Sequence, residues 1–335
     1  MTDSPLALVT GASGFVGAHL ARRLLGEGYQ VRLLLRRPQA ADAALRSQCE
    51  VVQGDLNNAN ALQQAVKDCQ YVFHCAANAK TWDTRENYEA SNVRGVYTLL
   101  NALSNTNFSL RRLVHISTVD VYGYPDLPCN EQNPTSKAGF GYGDSKLDGE
   151  LLLRSYAEAH NVPYVIIRPA NIIGPGSQFI EQISDALRSR SMLTIQNGSA
   201  NAGLVYVDNL IDYMLWSATA DTALNETYNV RDDYDVSWKE FITRLQQLIG
   251  DTGSVRNLPY RAAFLTASIL EKLYRLAGRS GEPPLHPLLV CMFGKTCGHS
   301  SDKIRSASGI DSAIGFDEAM ARSVAGLADT RSQAA

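Results

Sequence analysis

Apolar, β-branched-rich runs alternate with helical patterns through the first half of the chain. Leu6 to Val9, Val31 to Leu35, Val51 to Val52, Tyr71 to Cys75, Leu113 to Ile116 and Tyr164 to Ile167 read as strands buried on both faces, separated by segments long enough for crossover helices. This alternation predicts an α/β fold built on a doubly wound parallel sheet. After Pro169 the pattern changes to a Gly174-Pro175-Gly176 turn, a helix from about Phe179 to Arg190, a short apolar segment at Leu204 to Val207, and a strand at Glu226 to Val230 that returns to the main sheet. The rest reads as helix to about Ala325. The expected organisation is a sheet domain over 1–170 with a returning segment near 203–230, a smaller, mostly helical domain split between 171–202 and 231–328, and a frayed polar tail at 329–335.

Within the second part, Phe264, Leu265, Ile269, Leu270, Leu273 and Leu276 recur at helical spacing between Ala262 and Ala277. The run is too short, and too interrupted by Glu271, Lys272 and Arg275, to cross a bilayer. It predicts an amphipathic helix packed on its own domain, with a weak membrane-surface contact as the alternative.

The 335 residues, 45% hydrophobic and 19% charged, suit one large core with a smaller annex. A formal net charge of −3 argues against a nucleic-acid partner, which would need clustered Lys and Arg. The N-terminal region runs almost directly into a strand without a basic, apolar, small-residue leader pattern, so a cytoplasmic location is expected. Six scattered cysteines without Cys-x-x-Cys spacing read as reduced thiols, and no metal-ligand spacing is found. His74, His115 and His160 read as satisfied local histidines.

Candidate chemistry starts at Gly11, Ser13, Gly14, Phe15, Val16 and Gly17, which follow a predicted strand and open a helix. In that context the first glycine permits a tight turn, the second lets backbone approach a pyrophosphate, and the third allows close helix-to-strand packing. A phosphate then sits at a positive helix end. The acidic slot that would hold ribose hydroxyls at the end of the second strand is filled by Leu35 and followed by Arg36 and Arg37. A guanidinium there matches a 2′-phosphate bidentately, so NADP(H) is the expected cofactor. Asp55, before Leu56, sits where a carboxylate could accept from an adenine amino group. Ala76 and Ala77 end the fourth strand with side chains small enough for a cofactor to lie against backbone.

Tyr142 and Lys146 stand one helical turn apart, where an ammonium would lower the pKa of a phenol from roughly 10. Together with Gly54-Asp55-Leu56, His74-Cys75-Ala76-Ala77, Asn92-Val93-Arg94-Gly95, Ser117 to Gly123, Tyr142 to Lys146, Arg168-Pro169 and Val205 to Leu210, the glycine turn resembles the extended short-chain dehydrogenase/reductase family over nearly the whole chain. The resemblance implies a Rossmann sheet, with Tyr142 as general acid/base and Lys146 as the residue that tunes it and holds the nicotinamide ribose. It also implies Thr118, with Ser117 as the adjacent alternative, as the hydroxyl on the substrate oxygen, and Asn92 in a proton relay. Pro169 belongs to the cofactor-lining set, and a homodimer through the helices carrying Asn92 and Tyr142 is implied.

Two readings of substrate and one non-catalytic reading compete. Nucleotide-sugar epimerases and dehydratases of the family usually carry an Asn after the Gly-Pro-Gly turn and an Arg-Asp-Phe before the Tyr-Val-Asp segment; here Ser177-Gln178-Phe179 and Ala202-Gly203-Leu204 stand instead. The 3β-hydroxysteroid dehydrogenase-like and bacterial ketoreductase branch fits better. Its members resemble this chain in a Leu-Pro segment and long apolar helix, as at Leu258-Pro259-Tyr260 through Ala277, followed by a Pro-rich turn like Glu282-Pro283-Pro284-Leu285. The expectation is a small-molecule, hydrophobic carbonyl substrate. A catalytically silent dinucleotide-binding regulator is the remaining class.

Overall fold

The computed structural model describes residues 4–279 and 281–334, with side chains through Leu327. Seven parallel strands form the central sheet: β1 (Leu6–Thr10), β2 (Gln30–Leu35), β3 (Glu50–Gln53), β4 (Tyr71–His74), β5 (Arg112–Ile116), β6 (Tyr164–Pro169) and β10 (Thr227–Val230). Their order is β3-β2-β1-β4-β5-β6-β10, so the chain reverses direction between β1 and β4, the place where a doubly wound sheet opens a crevice at its strand ends. The return of 226–230 to the main sheet is observed, with Tyr228 opposite Ile167.

Burial explains the strand composition. Leu8, Val72, Leu113 and Ile166 point to one face and Val9, Phe73, Val114 and Ile167 to the other, all essentially inaccessible, because helices cover both sides. Gly149 lets the two helices of one layer meet: a Cβ there would lie 2.3 Å from the Asn92 carbonyl oxygen.

Two small parallel pairs escaped the sequence patterns. β7 (Asn171–Ile173) joins β9 (Leu204–Tyr206), and β8 (Leu193–Ile195) joins β11 (Arg256–Leu258). Each strand is three residues long, too short for alternation to register. The apolar segment at Leu204 therefore pairs with β7 outside the main sheet. The helices Gln178–Arg188 and Tyr260–Leu276 lie close to the predicted bounds, and the segment after Asp329, for which composition predicts fraying, continues as helix to Ala334. No helix among the described residues is long and apolar enough to cross a membrane.

Candidate active site

The glycine turn closes β1 onto the helix Phe15–Gly26. Gly11 has φ +76°, and a Cβ there would meet Ala76 N at 2.7 Å, while a Cβ on Gly17 would meet the Gly11 carbonyl oxygen at 2.5 Å. Only glycine permits this packing. Gly14 caps the helix without a side-chain hydrogen bond, and the first turn carries no acid. The exposed Ser13 and Gly14 thus border a helix end whose N–H groups suit an anion. Thr10 ties this turn to the end of β4: its hydroxyl accepts from Ala76 N at 3.2 Å and contacts His74 Nδ1 at 2.9 Å. The strand ends carrying Gly11 and Ala76 are therefore fixed relative to each other.

Leu35 is 1% exposed in the core, whereas Arg36 and Arg37 are exposed just beyond β2. Asp55 follows β3, is exposed, and uses Oδ1 to accept from Asn57 N at 2.9 Å. Leu56 is buried against Gly95. These residues and Ala76, Ala77 and Pro169 lie at or just past the carboxyl ends of β2, β3, β4 and β6. The groups present fit a dinucleotide: an uncapped helix N-terminus, a backbone approach kept open by glycine, and guanidinium groups at the second strand.

Tyr142 and Lys146 sit in the first two turns of the helix Gly141–His160. Tyr142 is hydrogen-bonded to Thr118, and Thr118 in turn to Asp120; Thr118 Oγ1 also accepts from Asp120 N at 3.2 Å. Two hydroxyls and a carboxyl thus meet at one point. Burial is the main cause that raises the Tyr142 pKa, Asp120 adds to it, and the Thr118 hydrogen bond opposes it. Lys146, expected to lower it, is not among these causes. The reason is geometric: the buried Lys146 Nζ donates to the Ile116 carbonyl at 2.6 Å. Burial holds the lysine itself down to about 8, against the opposing charge of Glu150.

Asn92 is 2% exposed and lies in a π-turn, Ala90–Arg94, that interrupts the helical run from Arg85 to Thr106. Such turns recur at functional sites. Its Oδ1 accepts from Asn78 N at 2.8 Å, and Nδ2 donates to the Asn78 carbonyl at 3.0 Å and Ser145 Oγ at 2.9 Å. Both amide hydrogens are engaged, so this side chain clamps the loop after β4 to the Tyr142 helix. Ser117 is buried beside Thr118 with no hydrogen-bond partner for Oγ among the described residues.

Sequence reasoning undervalued three features. Asp120 contacts the hydroxyls of Thr118 and Tyr124, and burial raises its carboxyl to about 6. Tyr124 follows Gly123 in the left-handed region at φ 62°, an unusual conformation for an aromatic residue. Its buried ring packs toward Phe140 at 6.2 Å and its hydroxyl against Asp120. Around it, Leu288 and Cys291 are buried, with Phe140, Tyr260, Phe264 and Met292 packed on them. An apolar wall from the helices 260–276 and 287–294 therefore flanks the polar cluster. Long sequence separation hid this juxtaposition. His115, expected to be satisfied, instead has no hydrogen-bond partner for either ring nitrogen among the described residues.

A family model described as NAD dependent epimerase/dehydratase matches residues 7–230, and the chain belongs to that family. It is 30% identical to the 4-hydroxy-2-methyl-3-oxo-4-farnesyl-3,4-dihydroquinoline-1-oxide ketoreductase of Stigmatella aurantiaca, over 90% of either chain. It is 26% identical to the 2-alkyl-3-oxoalkanoate reductase of Shewanella oneidensis, over 96% of this chain and 86% of that one. The UDP-glucuronic acid 4-epimerase of Bacillus cereus in complex with NAD shares the fold at TM-score 0.77 and 20% identity, covering 97% and 99% of the two chains. The chain is thus an oxidoreductase of the extended short-chain dehydrogenase/reductase group, whose members use a nicotinamide dinucleotide.

Proposed function

We propose that this protein is an NADP(H)-dependent reductase of a hydrophobic ketone, or in reverse an oxidant of the secondary alcohol. The observation that carries the reading is the meeting of the Tyr142 and Thr118 hydroxyls beside the Tyr124, Phe264 and Leu288 wall. The two hydroxyls hold the substrate oxygen, and the phenol gives it a proton as the carbonyl carbon is reduced. When bound, the nicotinamide supplies the hydride. A phenol held above its ordinary pKa stays protonated at neutral pH, the form that reduction needs. Lys146, fixed by the Ile116 carbonyl, holds the ribose, and Asn92 keeps the loop and helix in place. Arg36 and Arg37 favour a 2′-phosphate over free ribose hydroxyls.

Two of the relatives are a ketoreductase and an oxoalkanoate reductase by name, matched over 90% and 96% of this chain, which supports the class. Against a nucleotide sugar, Ser177 is buried with Oγ bonded to the Ile172 carbonyl at 3.1 Å. A Cβ at Gly203 would lie 2.1 Å from the Cys297 carbonyl oxygen, so a longer side chain does not fit there. A homodimer through the helices carrying Asn92 and Tyr142 is part of the proposal; Tyr97 and Leu151 are half-exposed on those helices.

The test is NADPH and NADH consumption with steroid ketones, β-keto acids, aromatic ketones and nucleotide sugars, beside Tyr142→Phe. Expected is NADPH oxidation with a hydrophobic ketone and a loss of about 10²- to 10⁴-fold in the variant, with NADPH binding retained. Conversion of a nucleotide sugar alone, or substantial turnover by Tyr142→Phe, would overturn it.

A further inference from the structure

The helix Tyr260–Leu276 is apolar on two opposite faces. One face buries Ala263 and Ala267 against Ile195 and Val290. The other leaves Leu265 64%, Ile269 51%, Leu273 54% and Leu276 85% exposed, four of the ten large hydrophobics exposed among the described residues. At 100° per residue these four share an arc of about 80°. A packed helix needs only the first face, so the second calls for an occupant.

Charge decides which. From Arg261 to Arg279 the segment carries Arg261, Lys272, Arg275 and Arg279 against the single acid Glu271, in a chain that is net negative. Glu271 is engaged by Arg275 at 2.7 Å, and Arg275 also lies over the Trp82 ring. Arg261 and Lys272 are exposed and form no ion pair among the described residues. On the helical wheel both lie along one edge of the leucine stripe. A second copy docking on this face would bring like charges together, whereas lipid phosphates would neutralise them.

We propose that this face lies on an anionic lipid surface, with Leu265, Ile269, Leu273 and Leu276 in the acyl boundary and Arg261 and Lys272 at the headgroups. The inference rests in part on the ketone reading, because the same helix sends Phe264 and Tyr260 into the apolar wall beside Tyr124. A lipophilic substrate dissolved in the bilayer would then reach the site along one helix.

The test is flotation of the full chain with extruded vesicles of phosphatidylcholine alone or with phosphatidylglycerol. Expected is binding to the anionic vesicles that weakens with added salt. The triple variant Leu265→Ser, Ile269→Ser, Leu273→Ser should lower the bound fraction about tenfold or more while keeping the wild-type circular dichroism and turnover of a water-soluble ketone. Arg261→Glu with Lys272→Glu, which leaves the packing untouched, should abolish the anionic preference. Absence of vesicle binding, binding unaffected by both variants, or a stripe-dependent oligomer in place of vesicle binding would overturn the proposal. Flotation reads the surface without turnover, so failure of the ketone assignment would be seen separately.

Discussion

The two walls of the site are held by different means. On the side of the sheet, Thr118, Asp120, Lys146 and Asn92 are held by hydrogen bonds, most of them to backbone, and Tyr142 interacts with Thr118. On the other side, Tyr124, Phe140, Tyr260, Phe264, Leu288 and Met292 come from four separate segments and meet mainly by packing. Hydrogen bonds set direction and distance, which proton transfer needs; packing sets shape and volume, which tolerate change. On the proposed reading, chemistry and substrate choice are carried by separable parts of this chain, and each part can be perturbed alone.

The largest effect expected on the packed wall comes from Phe264→Ser, which removes a ring stacked on Tyr260 at 5.9 Å. KM for a hydrophobic ketone should rise about tenfold, the worth of roughly 1–3 kcal/mol in an apolar pocket, with kcat retained. Steady-state kinetics on the best ketone check it. A collapse of kcat with unchanged KM would break the division between the walls, since it would place Phe264 with the hydrogen-bonded side.

The same division governs what could be read from the sequence. The sheet, the glycine turn and the Tyr142–Lys146 pair were legible because each depends on local spacing: strand runs, a turn with a defined backbone, two residues one helical turn apart. Where Lys146 points was not legible, since that depends on the Ile116 carbonyl thirty residues upstream in a neighbouring strand. Nor were the three-residue strands or the apolar wall, in which Tyr124 meets Leu288 across a separation that no periodicity encodes. Asp120 was visible as a residue but not as a partner of Thr118, because its role comes from a turn geometry and from burial.

A smaller effect sharpens the comparison on the polar side. Lys146 lies near Glu150, Cys75, His74 and His115, and burial sets its pKa at about 8. The charged form prevails below that value, so kcat/KM for reduction should be level below pH 8, half-maximal near it, and falling above. Lys146→Arg, which stays charged, should move the fall out of the accessible range at a lower rate. An unshifted fall in that variant would assign the titration to another group.

The smallest effect concerns His115, one strand over from His74 and beneath the site, with the two rings 5.3 Å apart. Burial, and the nearby Lys146 and His74, push its pKa well below the ordinary value, and neither nitrogen has a partner among the described residues. His115→Leu should therefore stabilise the fold by about 1 kcal/mol at pH 7.5, since it replaces buried polar atoms that have no protein partner with an apolar side chain. The sign with pH follows from linkage: below about 6.5 the unfolded histidine takes up a proton that the folded one refuses. The wild type thus loses stability as pH falls, by up to about 1.4 kcal/mol per pH unit, and the leucine variant is spared that loss. Urea melts of both proteins at pH 7.5 and 5.5 measure the difference. A gap that narrows at pH 5.5 would mean that His115 binds a proton in the folded state, and would join it to the polar wall as a working group instead of part of the core beneath it.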